Sequence, residues 1–127
     1  FEGNTGPYIL YTIVRIKSIL NKYQEMGKSV EGLTVAGAHS ESEKALMLEV
    51  AKYNGVIKNA FEETAPHKIC AYIYDLANAF NRFYHETKIL AQEDEEKKKS
   101  YIALLVITKR VLEACIDMLG FEAPERM

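Results

Sequence analysis

Tyr8, Tyr11, Arg15, Ser18 and Lys22 recur three or four residues apart along the first strongly periodic segment of the chain. At helical spacing they share one face, away from the apolar positions Ile9, Ile13, Ile16, Leu20 and Tyr23. A face of aromatic rings and cations suits single-stranded RNA, whose unstacked bases lie on tyrosine while Arg and Lys meet the phosphates. It suits equally the edge of a hydrophobic core, with each ring buried and its hydroxyl left wet. A second set, Asn81, Tyr84 and Lys88, flanks a later apolar stripe. There the amide offers a donor and an acceptor to a base edge and the ring a stacking surface. Packing serves as well, with Tyr84 capping the core.

Other chemistry fails on spacing. Gly27-Lys28-Ser29 has the ending of a phosphate-binding P-loop, but the required earlier glycine falls at position 22, which is Lys22. His39, His67 and His85 stand far apart, with no second ligand at metal spacing and no Glu-x-x-His pair for a di-iron bundle. No nucleophile–histidine–acid set can be assembled. Glu62-Glu63 and Lys97-Lys98-Lys99 read as solvated helix surface. Catalysis, metal-dependent or hydrolytic, is not expected from these residues.

The elements that must carry the two stripes are helices. The first runs from about Pro7 to Met26, with Pro7 in its opening turn, where a missing N–H costs nothing, and Gly27 as its stop. Lys28 to His39 is Gly-rich and reads as an irregular, mobile loop. Ser40 to Glu43 has the form of a capping box and opens a helix through Leu46, Met47 and Val50. Asn54-Gly55 reads as a break, followed by a short helix from Val56 to Glu63. Ala65-Pro66 opens a fourth helix to about Lys88, whose core face is Ile69, Ile73, Leu76, Phe80 and Phe83. The segment Glu93 to Lys99 starts the last helix, acids toward its positive end. That helix buries Tyr101, Leu104, Leu105, Thr108, Val111, Leu112, Cys115 and Leu119 before Gly120 stops it. Short connections between amphipathic helices predict an all-α, antiparallel bundle of about five helices, with the closing tail from Phe121 packed back on it.

With 127 residues, 48% hydrophobic and 27% charged, the chain fits one globular domain spanning 1–127. No apolar run approaches the roughly 20 residues of a membrane span. Two cysteines in helical patterns, Cys70 and Cys115, suit reduced thiols and a cytoplasmic setting. A net charge of −2 argues against bulk nucleic-acid binding and leaves room only for a local basic patch. The opening on Phe1-Glu2-Gly3, without an initiator Met, suggests a piece of something longer.

Three stretches, in order, carry a family resemblance. Phe1-Glu2-Gly3-Asn4-Thr5-Gly6-Pro7-Tyr8, continuing to Tyr11 and Val14-Arg15, resembles the entry to the C-terminal helical domain of arginyl-tRNA synthetases. Tyr74-Asp75-Leu76-Ala77 followed by Ala79-Phe80-Asn81-Arg82-Phe83-Tyr84 is similar to that family's fourth-helix signature. The closing Pro124-Glu125-Arg126-Met127 looks like its C-terminus. The resemblance covers essentially the whole chain. It implies a DALR-type anticodon-binding domain that grips the anticodon stem-loop of tRNA(Arg) with its bases splayed out. By position, Tyr84 would contact a central anticodon base, Met127 would lie beside it, and Tyr8, Tyr11 and Arg15 would complete the pocket. Asn81, Arg82 and Lys88 would flank it. At position 10, where many relatives carry Gln, this chain has Leu10, so no polar contact is expected there. The domain itself would need no cofactor. The parent ligase would use ATP and Mg²⁺ in a catalytic domain upstream, its other partner, and this piece would be inactive alone. A monomer is expected, without DNA or membrane partners. The competing reading is a docking or oligomerisation bundle, with the Gly-rich loop and the acidic run facing a protein.

Overall fold

The computed structural model describes residues 5–120, and the expected roles of Met127 and of the tail from Phe121 lie outside them. Five helices follow one another: α1 (Thr5–Glu25), α2 (Glu41–Ala51), α3 (Tyr53–Glu62), α4 (Pro66–Glu86) and α5 (Glu95–Met118). Lys52 alone separates α2 from α3, so the pair can equally be counted as one kinked rod in a four-rod bundle. The break therefore falls at Lys52 and not at Asn54-Gly55. Those two residues lie in the first turn of α3, outside the helix middle where the backbone freedom of a glycine is most costly.

All five core residues expected on α1 and all five on α4 are buried. The expected α5 stripe is buried from Tyr101 to Cys115, with Leu119 half-buried. That helix goes further than an amphipathic stripe. Residues 98 and 100–105 are all buried, and α5 packs against three other helices, α1, α2 and α4. Lys98 is thus no solvated surface residue. Its stem is buried and its ammonium reaches Glu95 at 3.4 Å, the usual way a long cation covers apolar surface while keeping its head near water.

The helix ends obey local chemistry. Asp94 caps α5, its carboxylate accepting from the N–H groups of Glu96 and Lys97. Gly27 and Gly120 follow α1 and α5 at φ values of 82° and 69°, a region open to glycine. At α2 the N–H of Glu43 donates to Ser40 Oγ at 3.1 Å, as the capping box requires. The return bond differs by one residue: the fully buried Glu43 carboxylate accepts from the N–H of His39 at 2.7 Å. Ser100 Oγ accepts from the N–H of Ala36, and Val30, Leu33 and Val35 pack on the core. The Gly-rich connection expected to be mobile is therefore tethered at several points. Ser40→Ala should lower stability by about 1 kcal/mol, read as a shift in urea midpoint with an unchanged slope.

Contacts across the bundle set its directions. Phe83 meets Tyr101 edge-on at 5.4 Å, so α4 and α5 run antiparallel across their short connection. Tyr8 meets Asn78, Thr12 and Arg15 meet Asn81, and Arg15 meets Tyr84. These pairs ascend together, which makes α1 and α4 parallel neighbours. Cys70 and Cys115 are free thiols, and burial pushes the Cys115 thiol up to about 12. Among the described residues no helix is long and apolar enough to cross a membrane.

Candidate functional site

The groove between α1 and α4 gathers most of the residues expected to bind. Its centre is Arg15. The guanidinium carbon lies 4.2 Å from the centre of the Tyr84 ring and 4.8 Å from that of Tyr11. Nη2 donates to Tyr11 Oη and Nη1 to Asn81 Oδ1, both at 2.7 Å. The cation is thus fixed by two rings and two hydrogen bonds with no carboxylate among its described partners, so its charge faces the groove unneutralised. Tyr11 is 51% exposed. Tyr11, Arg15 and Tyr84, together with Val14, Ser18, Ile19 and Lys22, line a cavity of about 270 Å³.

Toward the end of α4 this opens into a larger cavity of about 510 Å³, lined by Lys22, Tyr84, His85, Glu86 and Lys88, with Ile19, Ile89 and Leu90 as its apolar wall. Lys88 stands just beyond the end of α4 and is exposed. Among the described residues neither Lys22 nor Lys88 is paired with an acid. The net charge of the chain is negative, but at this end of the groove Lys22 and Lys88 outnumber the single acid Glu86, which is itself paired with Arg82.

Tyr84 is held from beneath. Its ring stacks on the fully buried Phe80 at 6.2 Å and meets His85 edge-on at 5.2 Å. Tyr84 thus packs partly against the core and partly lines the cavity. Tyr8 divides differently. It is half-buried, its hydroxyl donates to Asn78 Oδ1 at 2.6 Å, and its ring leans on Tyr74 at 5.9 Å. Thr5, Tyr8, Tyr74 and Asn78 line a separate cavity of about 370 Å³ at the start of α1.

Two expected contacts sit elsewhere. Asn81 is only 8% exposed and its amide points inward, bonded to Arg15, Tyr8, Thr12 and Ala77. Arg82 lies on another flank of α4, paired with Glu86 at 3.2 Å and outside the cavities described. Leu10 is buried in the core. Sequence reasoning did not place Val14, Tyr74, Asn78 or His85 at a cavity, although Val14 and Tyr74 stand in the motifs of the family resemblance. The spacing of Tyr74, Asn78 and Asn81 was a visible signal, since positions three and four apart share a helix face. That Val14 lines the cavity has no such signal, because an exposed valine on a helix is ordinary.

A small helical bundle with an aromatic, locally cationic groove between two parallel helices is thus the class of protein in hand. The family model described as the DALR anticodon binding domain matches residues 9–127, and the chain belongs to that family. It is 67% identical to an arginine–tRNA ligase of Agathobacter rectalis and 50% identical to one of Alkaliphilus oremlandii, in each case over 100% of this chain. The arginyl-tRNA synthetase of Thermus thermophilus superposes over 100% of the chain with a TM-score of 0.81 at 30% identity. The chain spans 22% of the length of each of these three relatives.

Proposed function

We propose that this domain binds the anticodon loop of tRNA(Arg) in the α1/α4 groove, as part of a longer arginine–tRNA ligase. The carrying observation is Arg15, hydrogen-bonded to Tyr11 and Asn81 and lying over the rings of Tyr11 and Tyr84, with no carboxylate among its described partners. A base entering that cavity meets two tyrosine rings and a guanidinium plane, the surfaces on which unstacked RNA bases stack. Lys22 and Lys88 take the adjoining phosphates. Arg82, turned away and ion-paired, contributes at most long-range charge, and Asn81 acts from inside. By the family resemblance, Met127, outside the described residues, would contribute to the same pocket. ATP and Mg²⁺ would serve arginine attachment in the remainder of the longer protein, its covalent partner. No residue of this chain is assigned to them, and its residues bind and orient the RNA.

The test is a titration of the domain with the anticodon stem-loop of tRNA(Arg) and with the same hairpin carrying a different anticodon, at several salt concentrations. The first should bind more tightly. With two cations on phosphate, Lys22 and Lys88, log K should fall with log salt at a slope of about −1.4. Absence of binding to either hairpin at low salt would refute the proposal and leave a protein-docking module as the better reading.

A further inference from the structure

Resting on that reading, we infer that Asn81 is a positioning residue that holds Arg15 in its binding geometry and makes no contact with RNA itself. Both N–H donors of its amide are committed, and its oxygen faces Arg15. A guanidinium can only donate, so the atom facing Arg15 Nη1 at 2.7 Å must be the amide oxygen. That fixes the orientation of the whole group and turns Nδ2 inward. There it lies 3.0 Å from each of three acceptors, Tyr8 Oη, Thr12 Oγ1 and the carbonyl oxygen of Ala77. Two N–H bonds shared among three acceptors leave no donor for a base edge. The residue is buried as well, so reaching RNA would mean breaking bonds already made.

Those bonds bridge the helices. The Ala77 carbonyl anchors the amide to its own helix, while Tyr8 and Thr12 tie it to α1. Tyr8 in turn donates to Asn78, so the ring at the start of the groove and the cation at its centre share one buried hub. The consequence for binding is entropic. A free arginine samples many rotamers and must give them up on contact. Here the guanidinium is placed over Tyr84 before any ligand arrives, and preorganisation of this kind tightens binding by removing the ordering cost.

The experiment combines a double-mutant cycle with an RNA-free readout. Arg15→Ala, Asn81→Leu and the double variant of the 127-residue chain are titrated with the anticodon stem-loop of tRNA(Arg). Ile102→Val, a buried α5 change remote from the groove, controls for lost stability and should leave affinity within about twofold. Arg15→Ala should weaken binding about tenfold, Asn81→Leu nearly as much, and the double variant no more than Arg15→Ala alone. A further loss in the double variant equal to that of Asn81→Leu by itself overturns the inference, because Asn81 then acts independently of Arg15. Side-chain NMR reads the same coupling without RNA. Wild type should show separate, ring-current-shifted Arg15 guanidinium signals that collapse to one averaged set in Asn81→Leu. Unchanged signals in the variant overturn the inference, and so does an already averaged guanidinium in wild type, which decides the matter even where Asn81→Leu does not fold. If wild type binds no hairpin, the functional reading fails, and the NMR comparison alone judges whether Asn81 holds Arg15.

Discussion

Phe80→Ala is expected to cost about 3–5 kcal/mol of stability, the largest effect of any substitution considered for this chain. Phe80 is completely buried on α4, and its removal leaves a ring-sized cavity that close-packed neighbours fill only in part. For a domain of this size that is a large fraction of the total. The loss should be measurable as a fall in urea midpoint without a change in slope, which would show that the unfolding transition is the same and only its position has moved. Binding should suffer too, because Tyr84 stacks directly on Phe80 and loses the surface that aims it. Full affinity in a folded Phe80→Ala protein would mean that Tyr84 does not depend on the core for its orientation.

Tyr84→Ala should have the opposite balance, a modest change in folding and a large change in binding. The ring is only half-buried, so its truncation removes less core than at Phe80. It also removes one stacking surface from the groove and one of the two rings over which Arg15 lies. Loss of a base stack weakens binding by about 1–3 kcal/mol. Tyr84→Phe should retain most of the affinity, since no hydrogen bond involves the Tyr84 hydroxyl among the described residues. Equal affinities for wild type and Tyr84→Ala would remove this ring from the binding site.

What could be read in advance divides by the range of the interaction. Helical periodicity marked the core faces of α1, α4 and α5, because burial along a single helix is a property of residues three and four apart. Caps were legible for the same reason: Ser40 and the acid three positions later are a local pair, even though the carboxylate turns to His39. Lys98 misled because its burial depends on α5 being covered on several sides at once, which no charge pattern on one helix reports. Asn54-Gly55 misled because a composition suited to a break is also tolerated in a helix's first turn.

The groove shows the same division more sharply. By itself the sequence determined an all-helical domain, two surface stripes bearing aromatic rings and cations, and a resemblance that pointed to the anticodon. It left packing and binding as alternatives for every tyrosine in those stripes. Only the tertiary structure decided that α1 and α4 lie side by side and run in the same direction. That arrangement sends Asn81 inward, brings Arg15 over Tyr84, leaves Tyr11 in the open and turns Arg82 away. The physical reason is that a side chain on a helix has a face but no partner until a second helix arrives. Arg15 and Asn81 are 66 positions apart in the chain, and the bond that unites them is set by the packing of two helices, which local spacing cannot encode.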